Sequence, residues 1–207
     1  MKYTQLASKE SVEKTKAALE KNGFTVILAE TGTEAKAKAL ELIPTGSEVL
    51  TMTSATLQDI GLAKELNESG NYDSIRLKLT AMMGDKTKSR EQKRLGAAPE
   101  YATGSVHAVT EDGKVYVASN TGSQLGAYLY ASDHVIWVVG TQKIVPNSEI
   151  AFKRIWEHSL PLESARARVA YNLPETFNSS PRKIAEFNSE GTAGRITIIL
   201  VNKVLGF

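Results

Sequence analysis

The sequence contains no cysteine, and this absence removes several kinds of chemistry from its 207 residues. A chain without thiols forms no disulfide, uses no thiolate nucleophile and holds no iron–sulfur cluster through cysteine. A redox role would therefore need electrons carried by a bound cofactor or a partner subunit, and the sequence leaves the cofactor unknown. The histidines His107, His134 and His158 lack the spacing of zinc sites, so we expect no metal centre.

Long apolar runs and an excess of one charge are also missing. No stretch approaches the roughly 18–20 residues that span a bilayer, and the first five residues carry no apolar signal-peptide core. The net charge of +2, from 25 basic and 23 acidic side chains, gives no electrostatic reason to expect nucleic acid. We therefore expect a cytoplasmic protein that binds neither membrane nor nucleic acid. Its length predicts one domain over residues 1–207.

Three common site motifs are absent as well. The chain has no G-x-G-x-x-G dinucleotide fingerprint, no P-loop lysine and no G-x-S-x-G elbow. A conventional Rossmann dinucleotide site, a P-loop and a serine hydrolase are therefore not predicted.

The order of apolar and amphipathic segments predicts an α/β fold, a mostly parallel sheet flanked by helices. Asp112-Gly113 between two β-rich runs, residues 101–110 and 114–118, predicts an inserted hairpin. Residues 75–79 are read as a short strand or an irregular segment, and residues 171–194 as an extended excursion. The predicted helices are residues 8–22, 33–43 capped by Thr33, 55–66, 85–95, 122–131 and 146–158. The other predicted strands are residues 24–29, 48–52, 135–139 and 195–201.

Three apolar strands each run into a small polar loop, at residues 53–56, 119–124 and 140–143. The carboxyl ends of parallel strands meet at one edge of a sheet, and helix N-termini there suit an anion. We therefore predict a site for a small anionic or nucleotide-like molecule. The candidate ligand-binding residues are Thr53, Ser54, Thr56, Gly104, Asn120, Thr121, Gly122, Ser123, Lys143 and Arg166.

Most of these candidates also have a structural interpretation. The hydroxyls of residues 53–56 could cap a helix, residues 120–123 could form an ordinary turn, and Lys143 could be a surface lysine. Glu163 and Arg166 are three residues apart, so Arg166 could pair with Glu163 rather than grip an anion.

Two residues are candidates for catalysis. On an extended segment, Ser105 and His107 point to the same side, and a histidine with a near-neutral pKa suits acid–base work. A structural histidine is the alternative. Glu163 is the second candidate, as an acid–base or nucleophilic group.

Six stretches, taken in order, resemble the LUD (lactate-utilization) domain family. They are residues 52–57 (MTSATL), 104–113 (GSVHAVTEDG), 121–124 (TGSQ), 138–145 (VVGTQKIV), 160–166 (LPLESAR) and 205–207 (LGF). The resemblance implies a Rossmann-like fold similar to that of ribose-phosphate isomerase, glucosamine-phosphate deaminase and coenzyme A transferases. It also implies a role in oxidising lactate to pyruvate alongside iron–sulfur oxidoreductase subunits. Two alternatives stay open: a stand-alone enzyme acting on a sugar phosphate or acyl-CoA, and a non-catalytic scaffold subunit.

Overall fold

A six-stranded parallel sheet is the larger of two sheets in the computed structural model, which describes residues 3–207. Its strands, from one edge to the other, are β1 (Thr25–Ala29), β10 (Ile196–Val201), β7 (His134–Gly140), β4 (Tyr101–Gly104), β2 (Glu48–Thr51) and β3 (Asp73–Ser74). Every neighbouring pair is parallel. All six residues of β10 are buried, as expected for a central strand covered on both faces.

A smaller mixed sheet contains the predicted hairpin. Its order is β8 (Ile144–Val145), β5 (Ala108–Thr110), β6 (Val115–Ser119) and β9 (Lys183–Phe187). β5 and β6 are antiparallel across the Asp112-Gly113 turn, where Gly113 has φ +81°. The apolar run at residues 101–110 is split, because β4 belongs to the large sheet and β5 to the small one. These features confirm the predicted α/β class and the inserted hairpin.

Eight α-helices accompany these strands within residues 3–207. They are α1 (Lys9–Lys21), α2 (Gly32–Glu41), α3 (Ala55–Asp59), α4 (Leu62–Glu68), α5 (Ile75–Ala81), α6 (Ser89–Ala97), α7 (Ser148–Arg154) and α8 (Leu160–Ala170). Short 3₁₀ turns occupy Lys86–Lys88 and Thr141–Lys143, and π-helical turns occupy Ala127–Ala131 and Ile155–Ser159. None of the described helices has the length and apolar character needed to cross a bilayer.

Several predicted boundaries were wrong for local reasons. Thr31, rather than Thr33, caps α2 by accepting from the N–H of Glu34. The helix predicted over residues 55–66 breaks into α3 and α4 at Gly61, whose φ of +68° does not continue a helix. Residues 75–79 lie in α5, and Ser74 caps the N-terminus of this helix by accepting from the N–H of Leu77.

Three further elements differ from the expectation. The helix predicted over residues 122–131 is reduced to the π-helical turn. The helix predicted to end at residue 158 continues through a π-helical turn into α8, and Pro161 lies in the first turn of α8. The excursion at residues 171–194 contains β9.

The two sheets stack face to face, and the largest hydrophobic cluster lies between them. Successive residues of β7 face opposite sides: Trp137 and Val139 pack with Val115 and Val117 of the small sheet. Residues of the opposite face pack against helices α2 to α4. The outer face of the small sheet packs on α7. The carboxyl ends of β2, β4 and β7 therefore open beside the end of β6.

Candidate functional site

A cavity of about 420 Å³ opens where the ends of the two sheets meet. This volume lies in the range of small-molecule pockets. The cavity is lined by the loops that follow β2, β4 and β6 and by Lys143 beyond β7, so all three predicted polar loops contribute to it. The premise that these strands share one parallel sheet was wrong, because β6 belongs to the small sheet.

Ten of the twelve candidate residues line this cavity. They are Thr53, Ser54, Thr56, His107, Asn120, Thr121, Ser123, Lys143, Glu163 and Arg166. Gly104 and Gly122 do not line it. A Cβ on Gly104 would lie 1.9 Å from the Tyr128 hydroxyl, so glycine there allows β4 and Tyr128 to pack together. Gly122 has φ +87° and serves the turn after β6.

Lys143 is held at the cavity by hydroxyl groups. Its Nζ donates to Thr56 Oγ1 at 3.2 Å and to Ser105 Oγ at 3.1 Å, and the residue is 2% exposed. Burial, with the positive charge of Arg154, lowers the pKa of Lys143 to about 7, although Asp59 acts in the opposite direction. The surface-lysine interpretation was therefore wrong, and the ammonium is less stable here than in water.

His107 has a defined tautomer. Its Nδ1 accepts a hydrogen bond from the Ala118 N–H at 3.1 Å, so the proton of the neutral ring lies on Nε2. Burial, followed by the charges of Lys143 and Arg154, lowers the pKa of His107 to about 3. The near-neutral pKa expected from the sequence does not apply. At neutral pH His107 offers the cavity an N–H donor rather than a readily titrating base.

Glu163 and Arg166 form an ion pair at the cavity wall. Arg166 donates from Nε and Nη2 to the two carboxylate oxygens of Glu163, each at 2.7 Å. The Tyr171 ring lies 5.6 Å from the guanidinium carbon. Donation to Glu163 raises the pKa of Arg166, so the guanidinium stays charged beside its carboxylate partner.

The hydroxyls of the first and second loops have structural partners too. Ser54 accepts from the N–H of Leu57 and caps α3, while Thr56 Oγ1 donates to the carbonyl of Leu205. Ser119 Oγ donates to Gln124 and accepts from the N–H of Gly122, both at 2.8 Å, which closes the turn after β6. Thr53, Asn120 and Thr121 of the same loops are exposed at the rim of the cavity.

Arg76 is a cavity-lining cation that the sequence reading missed. It lies in α5, the segment read as a strand, and its Nε donates to the Thr51 carbonyl at 2.9 Å. Burial lowers the pKa of Arg76. Ser74, a good N-cap directly before Ile75, was the signal that could have indicated a helix here.

Arg154 is a second missed cation, and it lies behind His107. It is fully buried, and its Nη1 donates to the His107 carbonyl and to Ser159 Oγ. Its Nε and Nη2 have no hydrogen-bond partner within residues 3–207. Burial lowers the pKa of Arg154 to about 10. A smaller cavity of about 50 Å³ adjoins His107 and Glu163. In the part of the chain that the structure describes, no cluster of three or more histidine or acidic side chains could hold a metal.

Comparison with solved structures supports the fold. A DUF162 family protein from Deinococcus radiodurans is 13% identical, with a TM-score of 0.57 over 96% of this chain and 100% of that chain. The structure of eIF2B beta from Chaetomium thermophilum is 17% identical, and the alignment covers 56% of this chain and 43% of that chain. Its TM-score of 0.35 is too low to bear on the fold. No curated protein sequence matches the chain.

The family follows from a match over nearly the whole length. The model of the LUD domain matches residues 12–201, which include the loops after β2, β4, β6 and β7 that line the cavity. The chain belongs to the LUD domain family, which is associated with lactate utilization.

Proposed function

We propose that the chain binds a small anion, bearing a carboxylate or phosphate group, in the 420 Å³ cavity as part of lactate utilization. One observation carries the proposal: Lys143 and Arg76 both line the cavity, and neither forms an ion pair within residues 3–207.

Buried charges are normally paired, because removing a lone charge from water is costly. Lys143 contacts two hydroxyls, which solvate an ammonium but do not neutralise it. The acidic group on the cavity wall, Glu163, is already bound by Arg166. An entering anion would therefore supply the missing negative charge.

The rest of the lining favours a hydroxylated anion. Hydroxyl and amide side chains from both sheets face the cavity, and the aromatic rings of Tyr171, Phe177 and Phe207 lie on its wall. A few polar groups on a partly apolar wall are typical of sites that orient small ligands. Lactate combines a carboxylate with a hydroxyl, and the LUD family is associated with lactate utilization.

The test is a thermal-shift panel of lactate, pyruvate, inorganic phosphate, ribose 5-phosphate, AMP and coenzyme A. A bound anion should raise Tm progressively with its concentration, by the equivalent of about 2.7 kcal/mol at a hundred times its Kd. Lys143→Met should remove this response, because methionine carries no charge to attract the anion. Its side chain is similar in length to lysine, so the packing should be retained.

Lys153→Met is the matched control. The Lys153 ammonium pairs with Glu149 at 2.6 Å on the surface and is not among the residues that line the cavity, so this variant should respond like the unchanged chain. A response that survives in Lys143→Met, or a flat response across the whole panel, would contradict the proposed site. The flat result would favour a non-catalytic scaffold.

An enzyme acting on a sugar phosphate or acyl-CoA is the second candidate. The observation in its favour is that a defined donor, His107 Nε2–H, and the amine of Lys143 line the same cavity. Turnover of a panel compound, lost in His107→Ala while binding is retained, would support it.

The proposed partners are iron–sulfur oxidoreductase subunits. Support comes from the association of the family with lactate utilization and from the cysteine-free sequence. Co-expression with iron–sulfur oxidoreductase subunits from the same organism should yield a complex that reduces a dye when lactate is added. Recovery of the chain alone, with no effect on lactate-dependent reduction, would contradict the partnership.

A further inference from the structure

We propose that Lys143 is a nucleophilic lysine that forms an imine with the carbonyl carbon of an anionic ketone or aldehyde, most simply a 2-oxo acid. This inference rests on the proposed function, since the same cavity must first bind the anion. It adds a covalent step and names the carbonyl group as the feature that the site recognises.

The surroundings of Lys143 are unusual for a lysine. The residue is 2% exposed, lines the cavity and contacts the hydroxyls of Thr56 and Ser105. Several other lysines of this chain hold a carboxylate instead, as Lys36 does with Glu65 and Lys114 with Glu186. A carboxylate stabilises the protonated form, so its absence favours the reactive amine.

Lys143 also differs from an ordinary lysine in how readily it loses its proton. The pKa of Lys143 is lowered to about 7, by burial first and by the charge of Arg154 second. An ordinary lysine with a pKa near 10.4 is almost entirely protonated at neutral pH, whereas Lys143 is divided between ammonium and amine. Desolvation and a neighbouring cation are the two means by which proteins activate lysine nucleophiles.

The step balances without an oxidant or a further reactant. The lone pair of Nζ attacks the carbonyl carbon, the C–N bond forms, and the carbonyl π electrons move to oxygen, which takes up a proton. Nζ gives up its two protons in turn, and the hydroxyl leaves with one further proton as water. The products are the imine and one water molecule. The hydroxyls of Thr56 and Ser105, both hydrogen-bonded to Nζ, are positioned to relay these protons.

Two neighbours fit the other groups of a 2-oxo acid. Arg76 lines the same cavity without an acidic partner among the described residues and suits the carboxylate. His107, with its proton on Nε2, suits the carbonyl oxygen as it gains negative charge. These roles require a charged Arg76 guanidinium and a proton on His107 Nε2, and the hydrogen bond from the Ala118 N–H to Nδ1 fixes that proton position.

The experiment compares pyruvate with lactate, because the two anions differ in the carbonyl group. The unchanged chain is incubated at neutral pH with pyruvate and cyanoborohydride, which reduces an imine to a stable amine. Intact mass should rise by one pyruvic acid molecule less one oxygen atom, and peptide mapping should place the addition on Lys143. Labelling of Lys143 should be at least about tenfold faster than labelling of Lys153 in the same digest. Added lactate should slow it by competition.

Lys143→Arg separates binding from the covalent step. Arginine keeps the positive charge but offers no amine of lysine type, so lactate should still raise Tm while the adduct disappears. Should the larger side chain fail to fold here, the peptide map of the unchanged chain still decides the question.

The outcomes distinguish the two proposals. Stabilisation by lactate and pyruvate with no adduct on Lys143 would overturn the imine and leave anion binding intact. An adduct distributed equally among the lysines would overturn it as well. No stabilisation by either anion, together with no adduct, would reject the anion site itself and the imine with it.

Discussion

Lys143 carries a cost to stability that its surroundings do not remove. Its pKa of about 7 in the folded chain lies below the ordinary 10.5, so the unfolded chain binds more protons between these values. The free energy of unfolding should therefore rise as pH increases from about 7 to about 10.5. A residue that opposes folding at neutral pH is typical of functional sites.

We predict that Lys143→Met increases the free energy of unfolding near neutral pH by about 2 kcal/mol. The gain should be largest below about pH 7 and shrink towards pH 10, because the native amine is neutral there. Urea unfolding at about pH 6.5 and about pH 9.5 measures both values. Lys153→Met, on the surface, should show no such dependence. A gain that is equal at both pH values would contradict the buried-ammonium explanation.

The position of a side chain, though not its role, could be predicted from the sequence where it lies in a loop after a strand. Thr56 and Lys143 lie in the loops that follow predicted strands, and both line the cavity. Arg76 was missed because residues 75–79 were predicted as a short strand or an irregular segment rather than as a helix. Arg154 was missed because a charged residue in a predicted helix normally belongs to its solvated face. Their burial depends on the packing of elements distant in sequence.

At the scale of elements, the contact between β4 and the π-helical turn supports the cavity wall. Gly104 of β4 faces the hydroxyl of Tyr128, whose ring packs edge-to-face on Trp137 at 5.3 Å. A methyl group on residue 104 would collide with this hydroxyl at 1.9 Å. The tyrosine cannot turn aside easily, because it is fully buried.

Gly104→Ala should therefore lower the free energy of unfolding by about 1–3 kcal/mol. Gly191→Ala is the matched control, since no atom lies within 4 Å of its added Cβ, and its effect should stay within about 0.5 kcal/mol. Adding Tyr128→Phe to Gly104→Ala should recover part of the loss. Chemical denaturation of the unchanged chain, of Gly104→Ala, of Tyr128→Phe and of the double variant completes the cycle. Equal effects of Gly104→Ala and Gly191→Ala would show that the contact is unimportant.

Element prediction failed where local pattern and tertiary context disagree. The periodicity of residues 55–66 is helical throughout, and Gly61 alone divides it. β9 lies in a segment rich in turn-forming residues, and its pairing partner β6 is more than 60 residues away in sequence. Long-range pairing of this kind leaves little local signal.

For the whole molecule, the two stacked sheets contribute opposite sides of one cavity. The loop at residues 53–56 follows the large sheet, and the loop at residues 119–124 follows the small one. Sequence predicted that these loops meet, but it assigned β6 to the wrong sheet. Strand order is set by the buried core between the sheets, which a local pattern does not reveal.

We predict that the panel anion with the largest thermal shift slows hydrogen exchange in both loops together. The exposed helix α6, which lies outside the cavity lining, should exchange at an unchanged rate and serves as the internal reference. Mass-spectrometric hydrogen exchange with and without the anion measures this. Protection limited to one of the two loops would contradict a ligand that contacts both sheets.

The stacking of the sheets also sets the dimensions of any guest. Face-to-face sheets are separated by about 10 Å, a spacing fixed by interdigitated core side chains such as Trp137 and Phe187. Loop insertions would reshape the walls that residues 53–56 and 119–124 form, whereas this spacing limits the breadth between the two sheets. Selectivity for molecular size should therefore also evolve through substitutions in the hydrophobic interior, where Trp137 packs against the cavity-lining Tyr128.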